Sequence, residues 1–161
     1  MALVPIIMGS RADMAHAEAI AAALDKLGLA SELRVASAHK VARYLLDLLA
    51  AYEADPQPKV YITIAGRSNA LSGLVDGNVS APVIACPPYS ERFGGADLFS
   101  SLRMPSGIAP AVVLEPGGAA LLAAKILAVA DPALRARITA AQQAAADQLI
   151  ADDRAIRRPA E

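Results

Sequence analysis

The sequence predicts an α/β domain: a flavodoxin-like three-layer sandwich built on a five-stranded parallel sheet, with a long helix at its C-terminal end. Three observations predict it. Short apolar runs with β-branched residues recur along the chain, and segments with helical spacing separate them. Most of the runs also lack the regular polar alternation of a sheet with one wet face, as expected for strands buried on both sides. With 161 residues and 55% hydrophobic content, the chain suits one domain with a real core.

The first apolar run, Leu3 to Met8, stops at Gly9, and Ile20, Ala23, Leu24 and Leu27 then follow at helical spacing. Glu32 to Val35 forms the second run, succeeded by a helix marked by Tyr44, Leu45, Leu48 and Leu49. Val60 to Ala65, Pro82 to Ala85 and Ala111 to Leu114 supply the remaining three strands, and Leu121, Leu122, Lys125 and Ile126 mark the helix after the last. The resulting βαβαβαβαβα order is the pattern of a parallel sheet covered by helices. Beyond it, Asp131-Pro132 reads as an N-cap with proline at the first helical position. Leu134, Ile138, Ala141, Ala145 and Leu149 then fall on one side of a long helix. That stripe is mostly alanine, so the helix is expected to lie on a neighbouring subunit. The chain divides accordingly into residues 1–130, the α/β body, and 131–161, the helix and a charged tail expected to fray from Asp152 to Pro159.

Composition removes several functional classes. A net charge of −1 leaves no global excess to attract nucleic acid or an anionic membrane. Aromatic content of 4%, without tryptophan, disfavours the stacking platforms of single-strand binders. One cysteine, Cys86, and two histidines fall short of a structural zinc set, and no metal site is expected. The start of the chain has neither the basic region nor the cleavage pattern of a leader, so a cytoplasmic location is expected. Ile108 to Ala130 is broken by Pro110, Pro116, Gly117 and Gly118, well short of the ~20 uninterrupted residues of a membrane helix.

Ligands of open parallel sheets bind at the carboxyl ends of the strands, which directs attention to the loops there. After the first strand, Gly9-Ser10-Arg11-Ala12-Asp13 combines a permissive glycine, a hydroxyl and a helix start whose free N–H groups favour an anion. Asp13, an acceptor, suits a ribose hydroxyl; alternatively Ser10 and Asp13 simply cap the helix. After the second strand, Ser37-Ala38-His39-Lys40 is read as a helix start, where the dipole and Lys40 would keep His39 neutral and able to act as a base. A surface histidine is the plainer alternative. The third loop, Gly66-Arg67-Ser68-Asn69-Ala70-Leu71-Ser72-Gly73, is small enough for a planar ligand to approach the backbone. Cys86-Pro87-Pro88 and Ser100 to Gly107 read as rigid walls. His16, mid-helix among alanines, reads as structural or exposed, and Cys86, with no base in its own loop, as a packed small residue. Three polar loops at one sheet edge favour a phosphorylated small-molecule site.

Taken together, Ile6-Ile7-Met8-Gly9-Ser10 with Asp13, Glu32 to Lys40, Ala65-Gly66-Arg67-Ser68-Asn69, and Ser100-Ser101-Leu102-Arg103-Met104-Pro105-Ser106-Gly107 resemble the PurE family of purine biosynthesis, in order from about residue 3 to residue 130. One class of that family acts on N5-carboxyaminoimidazole ribonucleotide as a mutase; the other carboxylates aminoimidazole ribonucleotide with free CO2. Mutases typically show Ser-Ala-His-Arg and a second histidine in the third loop. Lys40 and Ala65 to Asn69 stand here instead and are similar to the CO2-using class, found in animal bifunctional enzymes and some stand-alone bacterial proteins. Ala12 replaces a serine usual in the first loop, with Arg11 a possible compensation, and Ala70 and Ser72 stand where glycine is commoner. The partner synthetase domain fused in animals has no room in this length.

The resemblance implies a lyase without cofactor, converting 5-aminoimidazole ribonucleotide (AIR) and CO2 to the 4-carboxy nucleotide (CAIR). It implies His39 as proton shuttle, Lys40 as the charge facing CO2 and Ser37 as carboxylate ligand. Gly9, Ser10, Arg11, Asp13, Ala38, Gly66, Arg67, Ser68, Asn69, Ser106 and Gly107 would bind substrate. A mutase or a non-catalytic nucleotide-binding module are the alternatives. Family members form octamers, so a homo-octamer is expected, with no nucleic-acid or membrane partner.

Overall fold

The computed structural model describes residues 2–157. In chain order the elements are β1 (Leu3–Met8), α1 (Met14–Asp25), β2 (Ala30–Val35), α2 (Ala42–Ala54), β3 (Tyr61–Ile64), α3 (Leu71–Asp76), β4 (Val83–Ala85), α4 (Phe99–Leu102), β5 (Ala111–Val112), α5 (Pro116–Leu127) and α6 (Pro132–Ile156). The sheet order is β2-β1-β3-β4-β5, with every pairing parallel. Ile6 is flanked by Leu33 on one side and Ile62 on the other. This is the flavodoxin-type winding, whose direction reverses between β1 and β3.

Strand periodicity sorts the core into two layers. Val4, Ile6 and Met8 face α1, α5 and the start of α6, together with Ile62, Ile64 and Ile84. Ile7, Tyr61 and Val83 face α2 and α3 through Leu45, Leu49, Leu71 and Val75. Tyr52 and Tyr61 meet edge to face, with ring centroids 6.0 Å apart. At the rim away from the loops just described, Glu53 accepts from the Tyr61 hydroxyl at 2.8 Å and from the Ser80 hydroxyl at 2.7 Å, pinning α2 to β3.

The expected strands are all present, β1 with the expected ends and the others with shifted ones. β2 begins two residues early, at Ala30, and as an edge strand it is only partly buried, carrying the Arg34–Glu32 ion pair at 2.8 Å. β5 stops at Val112 because the chain turns there toward Pro116, the first residue of α5. In α6, Asp131 accepts from the Leu134 N–H at 2.9 Å, as its N-cap position predicts. The helix then docks on the turn after α1: Arg137 Nε donates to Leu27 O at 2.9 Å, beside Gly28, whose φ of +69° favours glycine. Leu134 and Ile138 are buried in the same cluster as the sheet, whereas everything from Thr139 to Arg157 is exposed. The expected fraying from Asp152 is corrected: Asp152 to Ile156 are helical, supported by a Gln148 to Asp152 side-chain bond of 2.7 Å. Arg158 and Pro159, assigned to the same tail, lie outside the described residues.

Candidate active site

The loops after β1, β2 and β3 converge on a cavity of about 420 Å³ at the winding reversal, closed on one side by Pro88 and Ser90 after β4. Its lining includes Gly9, Ser10, Ala12 and Asp13 from the first loop, and Ser37, Ala38, His39 and Lys40 from the second. Gly66, Arg67 and Ser68 line it from the third loop. Histidine, lysine and arginine therefore share one cleft with a single carboxylate, an arrangement suited to an anionic ligand that also carries hydroxyl groups.

In the first loop a 3-10 turn, Arg11–Asp13, precedes α1. Ser10 Oγ accepts from the Ala12 N–H at 3.2 Å, so it caps the turn while its own proton stays available to donate. Asp13 makes no side-chain capping bond to α1. Its carboxyl is raised above the ordinary aspartate value by burial, a shift opposed by the charge of His16 and by the Ser10 backbone N–H. An acceptor aimed at a cleft and not spent on the helix is what a ribose diol requires.

The second loop departs from expectation. Ser37 to Lys40 is a turn, held by the Val41 N–H donating to Ser37 O at 3.0 Å, and α2 begins only at Ala42. His39 is therefore two residues outside the N-cap, and the expected bias of a helix dipole on it loses its geometric basis. The turn nonetheless brings Ser37, His39 and Lys40 to the cavity, with His39 and Lys40 exposed.

In the third loop Ser68 takes φ +39°, a left-handed conformation uncommon for a residue with a side chain. The loop is clamped from behind by Asn69. Its backbone N–H donates to Ser100 Oγ at 2.8 Å and its side-chain amide to Ser101 Oγ at 2.9 Å, while its carbonyl accepts from the Ser72 N–H at 3.1 Å. Asn69 is thus a buried scaffold of the loop that does not line the cavity, and Ser100 and Ser101 hold it in place.

Three further expected residues do not line this cavity. Arg11 is exposed and does not line the cavity, so Lys40 is the cation left beside the first loop. Ser106 and Gly107 form an exposed turn between α4 and β5, with Gly107 at φ +86°, and neither reaches the cavity of its own chain. Ala65, Ala70 and Leu71 entered the sequence reading only as parts of the third strand and its loop, and Ser90 was not named at all, because it stands five residues beyond β4 and a lone serine in a loop carries no distinctive signal.

A smaller cavity of about 50 Å³ shares Gly66, Pro88 and Ser90 with the main one and is otherwise walled largely by Pro87, Tyr89, Leu98 and Leu114. Among the described residues no cluster of three or more His, Cys, Asp or Glu side chains is arranged to hold a metal, and no helix is long and apolar enough to cross a membrane.

Comparison with known proteins agrees with this geometry. Residues 3–148 match the family model described as AIR carboxylase. The chain is 53% identical over 156 residues to phosphoribosylaminoimidazole carboxylase of Treponema denticola, covering 97% of this chain and 98% of that protein. It is 51% identical over 138 residues to the protein of the same name from Archaeoglobus fulgidus, covering 86% of this chain and 76% of that one. The crystal structure of Treponema denticola PurE superposes with a TM-score of 0.96 at 52% identity, over 98% of this chain and all of the other.

Proposed function

The chain belongs to the AIR carboxylase family, and from that premise we propose that it carboxylates AIR reversibly at C4 with CO2, giving CAIR in de novo purine biosynthesis. The observation that carries the reading is the convergence of three polar loops on one cavity containing Asp13, Ser37, His39 and Lys40. The N–H groups around Gly9 and Ser10 suit the phosphate, with Lys40 beside them. Asp13 takes the ribose hydroxyls, and Gly66, Arg67 and Ser68 frame the aminoimidazole ring with Ala38.

The ring is an enamine, nucleophilic at C4. C4 attacks the carbon of CO2; the new C–C bond forms as one C=O π pair moves to oxygen, giving a carboxylate on a ring that still bears the C4 proton. His39 removes that proton, the C–H pair restores aromaticity, and the proton is later released to solvent. Lys40 stabilises the charge growing on the CO2 oxygens, and Ser37 and Ser68 orient the carboxylate. The small annex behind Gly66, walled mainly by apolar groups, suits neutral CO2 better than bicarbonate. No cofactor enters the scheme.

The third loop, Ala65 to Asn69, contains no histidine, which favours free CO2 over the N5-carboxylated nucleotide as donor. A proton shuttle beside a cation favours turnover over mere nucleotide sensing. The reading includes a homo-octameric assembly in the cytoplasm, where its small-molecule substrates are made and consumed. The test is the His39→Asn variant in an ATP-free assay with AIR and bicarbonate, followed by ultraviolet absorbance of the product. Turnover is expected to fall by ~10²- to 10⁴-fold while nucleotide affinity stays within about twofold. Lost thermal stability with retained specific activity would make His39 structural and overturn the mechanism.

A further inference from the structure

Asn69 and Ser101 are buried polar side chains that the mechanism does not use, and they meet behind the third loop. The Ser72 N–H can only donate, which fixes Asn69 Oδ1 on its side and leaves Nδ2 to donate to Ser101 Oγ. The Ser100 hydroxyl donates to Asp97 O at 2.6 Å, so its oxygen is free to accept from the Asn69 N–H. Two of these bonds tie Asn69 to α4, and that helix is inside out. Ser101 is buried in it, whereas Phe99 and Leu102 are 62% and 54% accessible. Apolar burial would turn those two side chains inward and the hydroxyl outward; the bonds to Asn69 account for the way α4 faces. Asp97 and Leu98, just ahead of it, wall the small annex, so the same bonds join annex to third loop. The residue before Asn69 is Ser68, which lines the main cavity at φ +39° and whose carbonyl accepts from the Ala70 N–H at 2.7 Å. A residue with a side chain stays in that conformation only where its surroundings over-determine it.

We propose that Ser100, Asn69 and Ser101 form a positioning clasp for the carboxylation step: it holds Ser68 in the left-handed conformation that offers its hydroxyl to the carboxylate as the C–C bond forms. The clasp therefore serves the capture of CO2 and not the binding of the nucleotide. The proposal rests on the reading of Ser68 as a carboxylate ligand. Ser68 donates a hydrogen bond and transfers no proton, so the electron and proton accounting of the reaction is unchanged. AIR has no carboxylate, and the groups assigned to its phosphate and ribose stand in the first loop, which none of the clasp's bonds touches. Without the clasp, Ser68 relaxes toward negative φ and its hydroxyl swings off the line of the incoming CO2. Charge growing on the CO2 oxygens then loses a donor, a loss felt only as that charge develops.

The test compares two quantities for the wild type, Ser101→Ala, Ser68→Gly and the double variant. One is the Kd of AIR, by calorimetry in CO2-free buffer; the other is kcat/KM for CO2 at saturating AIR, from the ultraviolet absorbance of the product. Ser101→Ala is expected to bind AIR within about twofold of wild type and to lower kcat/KM for CO2 about tenfold, the order of effect of one hydrogen bond to a charged group. Ser68→Gly should lower kcat/KM for CO2 to a similar extent. Glycine takes φ +39° without steric cost and has no hydroxyl to place, so in that background Ser101→Ala should be silent. Ser100→Ala, at a less buried position, cuts the backbone half of the clasp and should show the same split; it stands in if Ser101→Ala does not fold. A rate on CO2 that tracks wild type, or AIR affinity and rate falling together with the melting temperature, makes the clasp merely structural and overturns the proposal. So does a Ser101→Ala effect of equal size in both backgrounds. A Ser68→Gly protein that uses CO2 as wild type does removes the carboxylate assignment of Ser68, and this proposal with it, while leaving the carboxylase reading intact. A wild type that makes no product from AIR and CO2 sinks that reading as well.

Discussion

Gly66 shows how little room the site leaves at a single residue. A Cβ added there would come within 3.0 Å of Pro88 Cγ, between the main cavity and its annex. Proline cannot swing aside, so Gly66→Ala is expected to displace the loop at a cost of ~1–3 kcal/mol, lowering the melting temperature, and to raise the KM for AIR. Steady-state kinetics paired with a melting curve checks it; an unchanged KM would mean the loop does not frame the ring. Ser10, Asp13, Ser37, His39 and Lys40 were legible as cavity residues because each is polar and stands in the loop that follows a strand's carboxyl end. The scaffold role of Asn69 was not legible, because an amide in a small-residue loop looks the same whether or not it meets Ser72, Ser100 and Ser101, as it does here. The pairing of His16 Nε2 with Cys86 Sγ, 3.3 Å apart, was not legible at all. Nothing local joins residues seventy apart, and only the stacking of α1 against the end of β4 brings them together.

At the scale of elements, β1, β3 and β4 were legible because strands buried on both faces leave an unbroken apolar signal, whereas the edge strands β2 and β5 are only partly buried and were placed by their position between helical segments. Their ends were less legible: β5 is cut short by the turn into α5 ahead of Pro116, and the start of α2 is delayed by the turn at Ser37 to Lys40, whose composition suits a helix start equally well. The contact of α2 with β3 carries its own pH signature. Burial acts to raise the Glu53 carboxyl, but the Ser80 N–H and hydroxyl, the Tyr61 hydroxyl and the charge of Lys59 together bring it below its ordinary value of 4.5. Glu32 is lowered likewise, chiefly by its hydrogen bond from Arg34. A carboxyl lowered in the folded state stabilises the fold above its unfolded value, and that stabilisation is lost as pH falls through the folded one. The melting temperature should therefore decline as pH drops below about 4.5, and Glu53→Gln should start lower at neutral pH and decline less steeply. Parallel profiles for the two proteins would show that Glu53 does not act as this pin.

At the scale of the molecule, α6 is the feature the protomer alone does not explain. Only Leu134 and Ile138 of its expected stripe are buried; Ala141, Ala145 and Leu149 are exposed, and Leu149 and Ile150 are 70% and 49% accessible. The eighteen-odd residues beyond Ile138 extend roughly 27 Å at 1.5 Å per residue, an alanine-rich surface suited to close approach by a neighbouring copy. Ile138→Asp would strike the protomer core, so the informative variant is Leu149→Asp with Ile150→Asp. In light scattering it should shift the proposed octamer toward the 16.6 kDa chain with its secondary structure retained; a wild type that already scatters as a stable, active monomer would refute the proposed assembly. The carboxylation chemistry itself, on which the whole reading turns, is tested most directly by the carbon source. Rapid mixing of the protein with AIR and either dissolved CO2 or bicarbonate, without ATP, should give immediate product absorbance from CO2 and a lag from bicarbonate that carbonic anhydrase abolishes. No turnover of AIR from either source, with ready conversion of the N5-carboxylated nucleotide to CAIR, would contradict it.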